Sequence, residues 1–350
     1  MLEDTNAEHT DTTHAGNDRP DRDQPLVSVV TPFYNTARYL AECIESVLAQ
    51  SYQCFEYILV DNCSSDGSGE IAARYAQRDP RIRLIRRSEL LPQVQNYNAA
   101  LAEISVQSEY CKIVQADDFI FPECLRLMVQ AFEQSESIGL VSAYDLKADV
   151  VRGSGFPYAR SPLSGKETAQ IYLREGIFPF GSPTTVMYRS SIVRGSQPFY
   201  SEGRLHEDTE KCMEILQHWD FAFVPHVLSF LRVDDASISA GSRSFHPDLL
   251  DRYIIVKRYS SSFLECEEAP ICEREARKDY YQLLAHSVLR LRGRRFWQYH
   301  RQGLETIGEH IDWALVSFRV FGLLLWMLSN PGKTAIGIGK YVRSKRWQKK

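Results

Sequence analysis

Several common signatures are missing from this chain, and each absence removes a class of function. Its 8 cysteines form no Cys-x-x-Cys pair, so the usual spacing of a structural zinc site is absent. No Gly-x-Gly-x-x-Gly opens the first predicted helix, which argues against a dinucleotide oxidoreductase. The loop after the first predicted strand, Thr31-Pro32-Phe33-Tyr34-Asn35, holds no glycine. A sugar-phosphate nucleotidyltransferase would need a glycine-rich phosphate grip there. Positive charge is not in excess: 41 Lys and Arg stand against 45 Asp and Glu, a formal net charge of -4, which does not suit a nucleic-acid binder. The first residues are polar and acidic, without the apolar stretch of a secretory leader. With cysteines that read as small packing residues, a reducing cytoplasm is the expected setting. No internal repeat is visible.

What is present looks like an ordinary globular chain. Its 350 residues are 44% hydrophobic and 25% charged, enough for a core of normal size in one large or two smaller domains. The charge is unevenly placed. Residues 1–25 carry seven acids against Arg19 and Arg22 and show no apolar period, so they predict a disordered acidic tail. The last 18 residues carry seven bases (Lys333, Lys340, Arg343, Lys345, Arg346, Lys349, Lys350) and no acid. Three regions are expected: the tail 1–25, a catalytic domain over 26–245, and a helical extension over 246–350 with a basic end.

Strands and helices alternate through the second region. Apolar runs at Leu26–Thr31, Phe55–Val60, Ile82–Ile85, Tyr110–Gln115 and Ile138–Tyr144 predict strands. Helical periodicity covers Tyr39–Leu48, Gly69–Gln77 and Gln93–Ile104, and Pro122 opens another helix. The pattern predicts an α/β fold: an open mixed, mostly parallel sheet flanked by helices, Rossmann-like. Past Asp145 the rhythm loosens. Helices are expected over Lys166–Arg174 and Glu207–Leu216, and short strands over Phe221–Val224 and Val227–Arg232. Trp313–Leu328 is strongly apolar but short for a membrane span, and Arg319 interrupts it. Two readings stand: a helix packed on its own domain, or one lying on an anionic membrane face with the basic tail beside it.

In such a sheet, ligands collect beyond the carboxyl ends of the strands. Thr31 to Asn35 sits at the first such end. At the second, Asp61-Asn62-Cys63-Ser64-Ser65-Asp66-Gly67-Ser68 offers an acid for a base or ribose, or equally a turn with a helix cap. At the third, Ala116-Asp117-Asp118 puts two carboxylates side by side, which disfavours the ionisation of each unless a cation intervenes. Mg²⁺ or Mn²⁺ held by one or two carboxylates and phosphate oxygens meets that need; a capping pair before Pro122 is the plainer alternative. His206-Glu207-Asp208 opens a helix. Its acids suit the helix dipole and equally suit a general base.

This ordered set resembles the inverting family 2 of nucleotide-sugar glycosyltransferases, which has the GT-A fold. The matching stretches are Val29 to Asn35, Leu59 to Ser68, Asn98-Ala99-Ala100-Leu101, Gln115 to Asp118, and Glu207-Asp208. The resemblance runs from about Leu26 to Ser239. It implies that Asp61 reads the nucleotide base, and that Thr31, Pro32, Tyr34, Asn35, Ser64, Asn98 and Ala116 line the donor. Asp118 would then be the direct metal ligand, with Asp117 toward ribose or sugar. Asp208 would be the catalytic base, with Glu207 beside it. Arg232 would reach the diphosphate or form a structural ion pair. Family members often carry Arg-x-His where this chain has Arg232-Val233-Asp234, so Asp234 stands where a metal-contacting His would fall. Gly181-Ser182-Pro183-Thr184 would line the acceptor side, whereas Phe178, Phe180, Phe199 and Tyr200 read more as core than as sugar-stacking rings. The implied partners are a nucleotide-sugar donor and a saccharide, glycolipid or other hydroxyl acceptor; a membrane surface at the C-terminus stays one of the two readings of the Trp313–Leu328 segment and its basic tail. The opposing reading is a non-catalytic domain of the same fold serving as a scaffold.

Overall fold

A computed structural model of the chain describes residues 24–202, 206–233 and 245–332. The expected acidic tail, Asp234 and the basic C-terminal segment lie outside the described residues. Nine strands form one sheet: β1 (Val27–Phe33), β2 (Phe55–Asp61), β3 (Ile82–Arg86), β4 (Tyr110–Ile113), β5 (Phe119–Ile120), β6 (Ile138–Lys147), β7 (Val150–Arg152), β8 (Met187–Arg189) and β9 (Asp220–Leu231). Their order is β3-β2-β1-β4-β8-β6-β9-β5, with β7 paired to β6.

The half that carries the strand ends expected to bind a ligand is β3-β2-β1-β4. Its strands are all parallel, with Phe33 opposite Asp61 and Val30 opposite Ile113. The carboxyl ends of β1, β2 and β4 therefore open on one edge. The other half is mixed: β8 runs antiparallel between β4 and β6, and β5 antiparallel to β9.

Because side chains alternate along a strand, each face of the sheet builds its own core. From β1, Val29 joins one apolar cluster and Val30 the other. The first cluster lies under α1 (Leu40–Leu48) and α4 (Cys124–Phe132). The second meets α3 (Gln93–Leu101), α5 (Gly165–Glu175) and α7 (Glu207–Leu216). It also takes in α8 (Pro247–Phe263), α9 (Ala269–Leu289) and α10 (Arg294–Glu305), so the helical extension continues the core of the sheet domain. The two remaining helices that bear on the argument are α2 (Ser68–Ala76), after β2, and α11 (Trp313–Ser329), at the C-terminal end.

Three expectations needed adjustment. Pro32 does not end β1, which runs through Phe33, paired with β2 alone beyond the last β4 partner; at that position the missing N–H leaves no β4 bond unmade. The two short strands expected over 221–232 are one strand, β9. It absorbs Pro225 and His226 as a bulge, since Val224 faces Ala143 and Val227 faces Tyr144. The strands β5, β7 and β8, two or three residues each, were not expected; they are too short to show a period.

Candidate active site

The loops after β1 and β2 are sewn together by their own polar side chains. The Asn35 amide donates to Ser64 Oγ (3.0 Å), and the Ser65 amide donates to Asn35 Oδ1 (2.8 Å). Asp66 accepts from the Ala37 amide (2.9 Å) and the Ser68 amide (3.0 Å). Asp61, at the last position of β2, is buried, and its Oδ1 accepts from the Ser64 amide (2.8 Å). Its Oδ2 faces Gly69: a Cβ on that glycine would sit 2.5 Å from it. Gly69→Ala is therefore expected to push the Asp61 carboxylate aside while leaving α2 formed. Calorimetry should show nucleoside diphosphate affinity falling about tenfold, the worth of one buried hydrogen bond to a charged group.

Asp117 and Asp118 follow β4 on the other side of β1. At the usual strand separation, two strands span about 10 Å, so the pair and Asp61 flank the end of β1. Asp118 is buried and anchored on both oxygens. Oδ1 accepts from the Arg232 amide (3.0 Å), and Oδ2 accepts from the Thr184 hydroxyl (2.7 Å). Burial first, and then the neighbouring Asp117 charge, push its pKa up to about 7. Asp117 is the more exposed of the two.

Thr184 is a contributor the sequence reading placed elsewhere, on the acceptor side. Its hydroxyl accepts from the Gln115 amide (3.0 Å) while donating to Asp118. Lys112, a fully buried residue of β4, holds the Thr184 stretch by donating to the Thr184 and Val186 carbonyls. Burial lowers the pKa of that lysine. A lysine inside an apolar strand was the available sequence signal, since buried lysines are rare without partners. The turn that delivers Thr184 depends on Gly181, at φ +76°, where a Cβ would lie 2.5 Å from the Thr185 side chain. Thr184→Val is expected to leave one Asp118 oxygen and the Gln115 amide unpaired, at a cost of roughly 1–3 kcal/mol. Mn²⁺ affinity should fall accordingly, and Thr184→Ser should restore it; a titration of both variants checks this.

Glu207 and Asp208 open α7. The phenol of Tyr97, on α3, accepts from Gln115 Nε2 (3.0 Å) at the β4 end, and its ring meets Tyr200, ahead of α7 in the chain, edge-on at 6.3 Å. Burial raises the Tyr97 pKa, and the charges of Asp117, Asp118 and Glu207 add to the shift. The buried hydroxyls of Tyr188 and Tyr200 and the Cys212 thiol are in turn raised by burial and by Asp208. The acids of β4 and of α7 therefore act on one connected group of aromatic side chains. Burial, and then Asp208, also raise the Glu207 pKa.

The helix is held from behind. His206 Nε2 lies 2.6 Å from Asp251 Oδ2, and Glu210 pairs with Arg258. Burial opposes the His206 charge, but the bond to Asp251 and then its charge carry the imidazole up to about 9. Burial holds Asp251 up at about 6. A raised imidazole pKa gives stability that is complete below the unfolded value of about 6.5 and is lost as pH climbs through 9. Asp251 stays ionised across that window. The stability gap between wild type and His206→Gln, read from denaturant midpoints, is expected to be widest near pH 7 and to close above pH 9.

Not every expected donor residue reaches the rim. Tyr34 is exposed there, and Asn35 and Ser64 lie in the sewn loops. Thr31 instead points under α1, 3.1 Å from the Tyr57 hydroxyl, and is fully buried. Asn98 is spent on Tyr200, donating to its carbonyl (2.8 Å) and accepting from its amide (2.7 Å). Both thus position the site rather than line it. Pro32 and Ala116 contribute only backbone, within β1 and just before Asp117. Arg232 takes the structural alternative: Nε donates to the Asp117 carbonyl (2.9 Å), the guanidinium pairs with Glu42, and it lies 4.4 Å from the Tyr39 ring centre. The aromatics Phe180, Phe199 and Tyr200 are core, as expected.

The donor set fits a divalent cation of the phosphate-binding kind. Among the described residues no three His, Cys, Asp or Glu side chains gather into a cage. Mg²⁺ and Mn²⁺ sites of this type take only one or two carboxylates, the remaining ligands coming from phosphate and water. A carboxylate has about four acceptor positions, so Asp118 keeps two after its anchoring bonds, and Asp117 stands beside it.

Comparison with known proteins agrees with this geometry. Residues 28–195 match the model of the family described as glycosyl transferase family 2. The glycosyltransferase GlyG of Streptococcus pneumoniae is 35% identical over 136 residues, 39% of this chain and 41% of that protein. The match thus spans less than half the length of that relative. In fold, the chain is similar to S. aureus TarS 1-349 in complex with UDP-GlcNAc (TM-score 0.52, 18% identity, 73% of this chain and 80% of that one). It is also similar to the mannosyltransferase PcManGT of Pyrobaculum calidifontis in complex with GDP-Man and Mn²⁺ (TM-score 0.51, 16% identity, 85% and 87%). Sequence match, strand order and the acids at the strand ends converge: residues 28–195 match glycosyl transferase family 2, and the chain has the GT-A fold.

Proposed function

We propose that the chain moves a sugar from a nucleoside diphosphate donor, with uridine the favoured nucleoside, to an acceptor hydroxyl, with inversion at the anomeric carbon. The observation that carries this reading is the gathering of Asp61, Asp117 and Asp118 past the ends of β2 and β4, the two parallel strands that flank β1, with the charge of Glu207 felt by Tyr97 at that edge and the charge of Asp208 by Tyr200, whose ring meets that of Tyr97. Asp61 and the sewn loops of Asn35 and Ser64 hold the nucleoside. Asp117 and Asp118 would hold Mn²⁺ or Mg²⁺, Asp118 as the fixed ligand and Asp117 as the more accessible one. When bound, the ion supplies positive charge against the negative charge that develops on the departing diphosphate. Asp208 takes the proton from the acceptor hydroxyl as its oxygen attacks from the face opposite the leaving group. One displacement inverts the configuration. The position of Asp234, two residues past Arg232, is a further candidate contact to the ion.

The acceptor we propose is a saccharide or glycolipid of a cell-surface polysaccharide pathway. The donor is tested by screening UDP-, GDP- and TDP-sugars for hydrolysis with Mn²⁺. One nucleotide class is expected to turn over, and only with the metal. No turnover, together with no metal-dependent nucleoside diphosphate binding, would leave a scaffold of the same fold and end this reading.

A further inference from the structure

The helix α11 is apolar on the side that the other described residues leave open. Val316 is its one buried residue, whereas Phe318 is 74% exposed and Leu328 78%, with Phe321, Leu325 and Trp326 each about half exposed or more. At 100° per residue the exposed apolar positions sweep roughly 200° of the helix. Arg319, its only charged residue, turns inward, with Nη1 3.5 Å from Gln282 Oε1. A soluble face would carry the reverse pattern, charge outside and apolar residues inside. Exposed apolar surface on this scale marks an interaction site.

The charges around this face indicate what covers it. The turn between α9 and α10 reads Arg290-Leu291-Arg292-Gly293-Arg294-Arg295; Arg290, Arg294 and Arg295 are exposed there, and Leu291 is 88% exposed. Trp297 joins that turn to the start of α11: its Nε1 donates to the Arg292 carbonyl (3.1 Å), and its ring lies 5.0 Å from that of Trp313. Beyond the other end of α11, the last 18 residues supply seven bases and no acid. The described arginines thus border the apolar face near the start of α11, and the sequence that follows the helix is basic; tryptophans stand at either end of the helix, the residue type that favours the headgroup layer. No helix among the described residues is long and apolar enough to cross a membrane, and the 17 residues of α11 span about 25 Å, less than a hydrocarbon core.

We infer that α11 lies in the plane of an anionic lipid bilayer, its exposed face among the acyl chains and the arginines of the α9–α10 turn on the headgroups. The folded body replaces the polar face that an isolated interfacial helix would carry. This inference stands independently of the sugar-transfer reading, because it uses no residue of the strand-end site.

Sedimentation of the full chain with vesicles tests it. Wild type is expected to bind vesicles containing phosphatidylglycerol at least tenfold more tightly than pure phosphatidylcholine. The double variant Phe321→Asp, Leu325→Asp should lose at least tenfold on the anionic vesicles. Arg294→Glu with Arg295→Glu should lose severalfold on anionic vesicles and nothing on neutral ones. Both altered pairs are exposed, and unchanged circular dichroism and melting show that the variants fold. Failure of wild type to bind anionic vesicles would overturn the inference, as would binding untouched by the Phe321/Leu325 change. A lipid-free dimer that the same change dissociates would also overturn it, by giving the face to a second copy.

Discussion

Asp118→Asn is expected to abolish Mn²⁺-dependent nucleoside diphosphate binding and to cut transfer by at least 10²–10³-fold, the range for removing a preorganised electrostatic contact. The reason is geometric. Thr184 and the Arg232 amide fix the Asp118 carboxylate at the end of β4, beside Asp117, and an amide keeps the shape but loses the charge. Asp117→Asn should show a comparable loss, because the two acids share the ion. The cost falls on function rather than on folding. Burial raises the Asp118 pKa to about 7, so the stabilising contribution of the protonated acid is complete below about pH 4 and is lost as pH rises through 7. Without metal, Asp118→Asn should therefore match wild type near pH 4 and be the more stable of the two at pH 8. Melting curves at the two pH values, with and without Mn²⁺, check the sign, and Mn²⁺ should stabilise wild type alone.

Asp208→Asn is expected to behave in the opposite way. Removing a general base costs about 10²–10⁴-fold in turnover, while Mn²⁺-dependent binding of the nucleoside diphosphate should stay within a factor of two or so, since the bonds that fix Asp61 and Asp118 come from Ser64, Thr184 and Arg232 rather than from α7. Kinetics should show kcat falling with the donor KM unchanged. Loss of donor binding together with kcat would move Asp208 from proton transfer to structure.

The parallel half of the sheet was legible in the sequence because buried parallel strands read as continuous apolar runs between helical periods, as Phe55 to Val60 and Tyr110 to Ile113 do. The acids at the strand ends were legible for the same reason: Asp61 follows such a run directly, and Asp117 comes four residues after Ile113. Thr184 and Lys112 were not, because their meaning lies in long-range pairing. A threonine 66 positions from Asp118 carries no local mark of holding that carboxylate. Thr31 and Asn98 mislead in the complementary way. Each lies in a stretch that marks the site, but the pleat turns Thr31 under α1, and Asn98 spends both ends of its amide on the Tyr200 backbone. For α11 the sequence offered both packing and a membrane face, and which side stays open was not legible, because a nearly all-apolar helix shows no preferred side until packing chooses one.

Central to the proposed function is a cation at the Asp117–Asp118 pair, with a nucleoside reaching across β1 to Asp61. Crystals grown with Mn²⁺ and a nucleoside diphosphate, measured at the manganese absorption edge, test this most directly. The expected anomalous peak lies against the Asp117 and Asp118 carboxylates, bridging them to both phosphates, with the base beside Asp61 and open space for a sugar toward Asp208. A peak elsewhere, or a nucleotide bound at this edge with no metal on either acid, would contradict it.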